Sequence, residues 1–403
     1  MAKSAYVGID NKARKVKYIY VGVDGKARKV KKGYIGVGGV AKLFYKLSGK
    51  VEKTLSLSAA RRWPSAAGND NYAIFAGGNT KGVYSSGSTS GISNVVDIYD
   101  NNLVRTTNTL GVKTSEAAGA ALGNTSILFA GGCSSYPVVG SSTEQGDSEY
   151  YGPTSVTIFN GSTLAKTSKS LTTGTYFPAA ASNTTYIIVA GGQYATREYT
   201  THQYETTWND LSTAYSFNAS GTRSTVSTVG GGELMSASTD SYAFFYSADN
   251  TISNLYGINT SGTRKTATIP TGKYQAKGKN ACVGNATHMY IGGGYSSSTK
   301  TTTSMQVYNS SLVVSTAANL DNALNNIGVN LGGCAGFVNT ATKTVEVYDP
   351  VTFVKTYADS LTKTTYDFDG CASKNLGFIG GGYNGASSSS SRVVYSDVLV
   401  YNM

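Results

Sequence analysis

An apolar run of about four residues closed by a glycine pair, first met at Ala73-Ile74-Phe75-Ala76-Gly77-Gly78, returns until the end of the chain. It recurs at Ile127-Leu128-Phe129-Ala130-Gly131-Gly132, Ile187-Ile188-Val189-Ala190-Gly191-Gly192, Met289-Tyr290-Ile291-Gly292-Gly293 and Gly377-Phe378-Ile379-Gly380-Gly381. Two eroded copies, Ala243-Phe244-Phe245-Tyr246-Ser247-Ala248 and Gly333-Cys334-Ala335-Gly336, bring the number to seven. Such a run is too short for a buried helix and reads as a core strand entering a tight turn.

A second column keeps the same phase. Each copy is followed by a strand ending in an aromatic or apolar residue and then Asp or Asn: Tyr99-Asp100, Phe159-Asn160, Phe217-Asn218, Ile258-Asn259, Tyr308-Asn309, Tyr348-Asp349 and Tyr401-Asn402. The residues before it alternate apolar and polar, as in Val96-Asp97-Ile98, which predicts a strand with one buried face. The Asp or Asn starts a turn by hydrogen-bonding its own backbone. A third strand (Val104-Arg105-Thr106) and a fourth, small-residue strand (Ala117 to Asn124) complete the unit. Seven units over residues 51–403 are about 50 residues each, the size of a kelch-type propeller blade.

On these motifs residues 51–403 resemble a degenerate kelch-like β-propeller. The tryptophan that kelch repeats carry on their third strand is absent, so no kelch-specific partner is implied. The fold class expected is all-β, a seven-bladed β-propeller of four-stranded blades. The chain reaches Met403 just past the second strand of the seventh unit, so residues 51–69 are expected to close the last blade together with 376–402. Val51-Glu52-Lys53-Thr54 would be its third strand and Arg62 to Asn69 its fourth.

Residues 1–50 are a different object. Tyr6, Tyr20 and Tyr34 mark a 14-residue repeat in which Asp-Asn, Asp-Gly or Gly-Gly separates two short strands, predicting three consecutive hairpins. This arm holds 13 Lys or Arg and 2 Asp, a net charge of +11; residues 51–403 hold 21 basic and 21 acidic residues and are neutral. The basic face comprises Lys12, Arg14, Lys15 and Lys17, then Lys26, Arg28, Lys29 and Lys31. In the third copy Val40, Leu43 and Phe44 stand where the first has Lys12, Lys15 and Val16, so this copy is expected to pack on the propeller. A basic arm attracts acidic surfaces with strong salt dependence; the alternative is a solvated face that keeps the hairpins soluble. Nucleic acid is disfavoured, because the aromatics are single and not laid out as a stacking platform. Over about residues 5–46 the repeat also resembles N-terminal repeats of tail and other structural proteins of phages and prophages of Gram-positive bacteria, which implies a virion component anchored through the arm to other virion proteins.

Two connections between glycine-pair strand and Asx strand are long, Cys133 to Thr154 and Gln193 to about Ser212. They belong to neighbouring units and leave the same face of the ring. They carry Tyr136, Tyr150, Tyr151, Tyr194, Tyr199, Tyr204 and Trp208 among Ser, Thr and Gly, a composition suited to recognition and to the C–H faces of sugars. The alternative is that the loops cover themselves with their own aromatics.

Catalytic constellations are not apparent. The histidines, His202 and His288, lie in different units, and His288 reads as a packed imidazole. Cys133, Cys282, Cys334 and Cys371 are widely spaced and read as core thiols, not a disulfide frame or metal cage. Asp367-Phe368-Asp369-Gly370 resembles the start of a calcium loop but lacks further ligands, and reads as a polar strand start. The sialidase box Ser-x-Asp-x-Gly-x-Thr-Trp is missing, and two histidines do not readily supply a copper-oxidase site. No run reaches the length of a membrane span, and no signal peptide opens the chain.

The expectation is therefore a non-enzymatic virion protein, made in the bacterial cytoplasm, without cofactor, metal or membrane insertion. Its propeller would meet a host cell-surface glycan or wall polymer. Structural decoration of head, tail or baseplate is the alternative, and a glycan-cleaving propeller enzyme is a third reading.

Overall fold

A glycine pair ends a strand by taking two successive positive φ angles, as at Gly77 (66°) and Gly78 (99°), a backbone that side chains resist. In the computed structural model this corner recurs at Gly131-Gly132, Gly191-Gly192 and Gly381-Gly382, and the chain builds seven four-stranded antiparallel sheets arranged as a β-propeller. The structure describes all residues except 1–5, 10–11, 16–19, 24–25, 30–31, 38–39, 47–48, 82–89, 136–147, 201–202, 233, 248–253, 270–281, 294–301, 324–325 and 387–390. For the described residues up to 46, and for 148–150, 197–200, 203–205 and 247, it describes the backbone alone. Among the described residues there is no α-helix, and none long and apolar enough to cross a membrane.

The first blade consists of Ser65–Gly68, Tyr72–Ala76, Val95–Asp100 and Arg105–Thr109, paired in that order. The second repeats it with Ala118–Leu122, Ser126–Ala130, Ser155–Asn160 and Lys166–Ser170. First strands of successive blades lie side by side around the whole ring, the last against the first.

The last blade runs Asp369–Ser373, Leu376–Gly380, Asp397–Asn402 and then Lys50–Ser56, which pairs Leu55 with Val398 and Lys53 with Val400. Only Lys50–Ser56 is contributed from the N-terminal side. Ser65–Gly68, expected to complete this blade, instead opens the first. The cause is local: a small-residue strand is joined by a tight turn to the glycine-pair strand that follows it, and sequence neighbours pair. The sixth blade departs in the same way. Gly332 and Gly333 (φ 58° and 88°) form the turn between Asn326–Leu331 and Cys334–Asn339, so this pair opens a strand instead of closing one.

Apolar residues are distributed over seven clusters, one at each blade-to-blade seam. Alternation explains how one strand serves two seams. In Ser126–Ala130, Ile127 and Phe129 pack toward the first blade while Leu128 and Ala130 pack toward the third. Each fully buried large side chain contributes about 1.5–3 kcal/mol. The Asx strands are buried on both faces, not one: Asp97 and Glu346 are enclosed, because the next blade covers the side that alternation assigns to solvent.

Polar clasps supplement this packing. The first basic residue of an outer strand donates to a carbonyl at the end of the preceding blade's outer strand: Arg105 to Ser56, Lys166 to Thr109, Arg223 to Ser170, Arg264 to Thr228 and Lys355 to Asn319. The tyrosine column does likewise. Tyr99, Tyr348 and Tyr401 donate their hydroxyls to the carbonyls of Ser56, Ala318 and Asp359.

Before residue 50, three two-stranded hairpins are formed: Tyr6–Ile9 with Lys12–Lys15, Tyr20–Val23 with Lys26–Lys29, and Lys32–Val37 with Val40–Lys46. Their last strand pairs fall in one phase: Ile9 opposite Lys12, Val23 opposite Lys26 and Val37 opposite Val40.

Candidate functional site: an aromatic sheet beside the propeller axis

The two long connections do not remain loops. Ser148–Tyr150, from the second blade, pairs antiparallel with Gln193–Thr200, from the third, and that strand pairs with Gln203–Asp210. Together they form a three-stranded sheet additional to the blades. No sequence periodicity announced it, since the joining strand is three residues long and its partner lies in another blade.

The sheet is fixed at its base. Trp208 stands edge-on to Tyr176, with ring centroids 5.3 Å apart at 86°, and lies 5.9 Å from Phe177. The Tyr176 hydroxyl donates to the carbonyl of Ser135, at the root of the other connection. Asp210 accepts from Gln193 Nε2 at 2.9 Å. Trp208 thus serves partly as an anchor.

Tyr151 and Tyr194 form a stacked platform. Their rings stack at 5.0 Å and 13°, and Tyr151 is 43% exposed. Tyr150 lies opposite Ala195, which lies opposite Trp208, and Tyr199 lies opposite Tyr204. By strand alternation Tyr150, Tyr199, Tyr204 and Trp208 share one face and Tyr194 the other. Tyr136 and His202 lie outside the described residues, as do Lys17 and Lys31 of the basic arm. Lys12, Arg14 and Lys15 fall on the second strand of the first hairpin, and Lys26, Arg28 and Lys29 on that of the second.

Four residues at the starts of inner strands share a backbone that the sequence did not mark. Trp63, Glu116, Phe177 and Asp367 each precede a first strand and each take a left-handed backbone (φ 51° to 54°) without being glycine. Hydrogen bonds between blades link three of them: Trp63 N donates to Asp367 O at 2.9 Å, and Glu116 N to Trp63 O at 3.1 Å. Beside them the Arg62 guanidinium lies between the rings of Trp63 (3.3 Å) and Tyr383 (3.9 Å) and is paired with Asp367.

The seven first strands enclose an axial channel of about 1010 Å3. Their residues are small because the strands converge: a Cβ on Gly284 would sit 1.9 Å from Ser238 O, and one on Gly328 2.2 Å from Cys282 O. Asp70, Asp240 and Asp369 line the channel, and no Lys, Arg or His does among the described residues. Asp369 Oδ2 accepts from Ala66 N and Oδ1 from Gly370 N, both at 2.7 Å. Enclosure outweighs these bonds and pushes its pKa up to about 7. The two carboxylates of the calcium-like tetrapeptide therefore serve different partners, and no cluster of three potential metal ligands occurs among the described residues.

Between the ordinary carboxylate range and pH 7, folded protein holds a proton on Asp369 that unfolded chain has released. Stability from this group is fully present below about pH 4 and lost as pH rises through 7. The full shift corresponds to about 4 kcal/mol, and solvent access along the channel should halve it to about 2 kcal/mol. Urea unfolding of Asp369→Asn across this range should show a shallower fall than the parent; parallel curves would exclude the assignment.

The four cysteines are buried and unbridged. Burial pushes the Cys282 thiol up to about 12. His288 packs at 5.0 Å against Phe353, with Nδ1 2.8 Å from Thr287 Oγ1, and burial lowers its pKa.

No protein-family model and no curated protein matches this chain.

Proposed function

We propose that this chain is a non-enzymatic recognition protein of a phage or prophage particle, and that its propeller presents the aromatic sheet to a glycan or wall polymer on the host cell surface. The observation carrying this reading is the union of two long connections, from separate blades, into one anchored sheet with stacked tyrosines at its margin. Aromatic faces bind sugar C–H surfaces at low entropic cost, and the neighbouring Ser and Thr supply adaptable hydrogen bonds. The basic arm, which resembles repeats of virion proteins, is assigned the role of holding the propeller to the particle.

Replacing Tyr151 and Tyr194 together by alanine should reduce attachment to isolated host cell walls about tenfold or more, as truncation of aromatic anchors does. The melting temperature should move by no more than about 2 °C, because the pair lies outside the blade seams. Undiminished attachment by a folded double variant would remove the platform from the mechanism. A density map of the particle that buries this sheet between subunits would favour decoration instead.

A further inference from the structure

The hairpin arm contains its own partner information, because register and charge together restrict what can cover it. In the first hairpin Val7 pairs with Arg14 and Ile9 with Lys12; in the second Val21 pairs with Arg28 and Val23 with Lys26. Directly opposed residues share a face, so each hairpin has one face composed of two branched aliphatics and two cations. The opposite face carries Tyr6, Gly8, Ala13 and Lys15, or Tyr20, Gly22, Ala27 and Lys29. Each hairpin is a separate two-stranded sheet, and such a sheet is marginal in water until a further surface covers it.

We infer that the first two hairpins are equivalent docking units for a protein surface in which an apolar strip is flanked by carboxylates. This deepens the assignment of the arm as the particle anchor and does not depend on what the aromatic sheet binds. A second copy of the arm is excluded as the occupant by its net charge of +11. A polyphosphate or nucleic-acid backbone would satisfy the cations but leave Val7, Ile9, Val21 and Val23 without an apolar counterpart. Stacking on bases is disfavoured too, since Tyr6 and Tyr20 fall on the face opposite Lys12, Arg14, Lys26 and Arg28. The third hairpin is not such a unit, because Val40 occupies the position of Lys12 and leaves Lys42 as the one cation on the face of Ile35 and Val37. Two like units in tandem raise avidity for a partner that repeats.

The test uses the full chain and four probes: an alternating Val-Glu peptide, an alternating Ser-Glu peptide of equal length, inorganic polyphosphate and duplex DNA. The Val-Glu peptide should bind about tenfold tighter than the Ser-Glu peptide and tighter than either phosphate polymer, and binding should weaken with salt. Two full-length variants separate the contributions. Lys12→Gln/Arg14→Gln/Lys26→Gln/Arg28→Gln should weaken the salt dependence and lose most of the affinity. Val7→Ser/Ile9→Ser/Val21→Ser/Val23→Ser should keep the salt dependence and lose the preference for Val-Glu. The propeller's thermal transition should be the same in both. Equal binding of the two peptides, tighter binding of polyphosphate or DNA, or no binding to any probe would overturn the inference. The Tyr151→Ala/Tyr194→Ala variant should bind the Val-Glu peptide as the parent does, so failure of the host-surface reading is distinguishable from failure here.

Discussion

Replacing Asp97 by alanine is expected to cost about 3–5 kcal/mol of stability, because it leaves the Arg61 guanidinium buried without its counter-charge. Both side chains are 0% exposed, and Arg61 Nη2 lies 2.6 Å from Asp97 Oδ2. The carboxylate has further partners: Ser58 donates its backbone N–H to Oδ1 at 2.9 Å and its hydroxyl to Oδ2 at 3.1 Å. Arg61 also donates to Phe75 O, and its own N–H and C=O bond to Tyr395 and Gly382 of the last blade. The pair therefore sits where the ring closes. Urea unfolding should show the loss as a lower midpoint at unchanged slope. The double variant Arg61→Met/Asp97→Leu should recover most of it, since an apolar pair removes the uncompensated charge. A single variant within about 1 kcal/mol of the parent would mean that water reaches this site.

That pair also shows where sequence reading stops. Gly77-Gly78 was legible because only glycine takes two successive positive φ angles cheaply, and the column of Tyr99, Tyr348 and Tyr401 because the position recurs in phase and three of the blades use its hydroxyl as a clasp. Arg61-Arg62, by contrast, carries no mark of burial in the sequence. Its burial depends on Asp97, which is distant in sequence and marked only as the polar position of an alternating strand. The three-stranded aromatic sheet was hidden for a related reason: Ser148–Tyr150 has no apolar alternation, and its partner strand belongs to another blade. The tyrosines were visible as a composition, but their division into an anchor at Trp208 and a platform at Tyr151 and Tyr194 is a property of the pairing. Trp63, Glu116, Phe177 and Asp367 carry no sequence mark of their left-handed backbone. For Trp63, Glu116 and Asp367, hydrogen bonds between adjacent blades hold the backbone where Gly or Asn would ordinarily be chosen.

The blade boundary was half legible for the same reason, and it sets up the largest effect expected here. Removing residues 1–56 should abolish cooperative unfolding of the propeller, whereas removing residues 1–48 should leave its midpoint unchanged. All seven blades are built from residue 50 onward, so the shorter truncation deletes no blade strand. The longer one strips Lys50–Ser56 from Asp397–Asn402. Ladder hydrogen bonds contribute about 1 kcal/mol each, and Val51 and Leu55 bury further apolar area, so the loss is on the order of 5 kcal/mol. Tyr99 and Arg105 would lose the Ser56 carbonyl that clasps the first blade to the last. The bared strand Asp397–Asn402, with Val398, Val400 and Tyr401 now uncovered, is an edge of the kind that pairs between molecules. Aggregation on refolding should accompany the loss. Equal unfolding midpoints for the two truncations would show that the ring does not need this strand, and the seam at Arg61 would then have to close it alone.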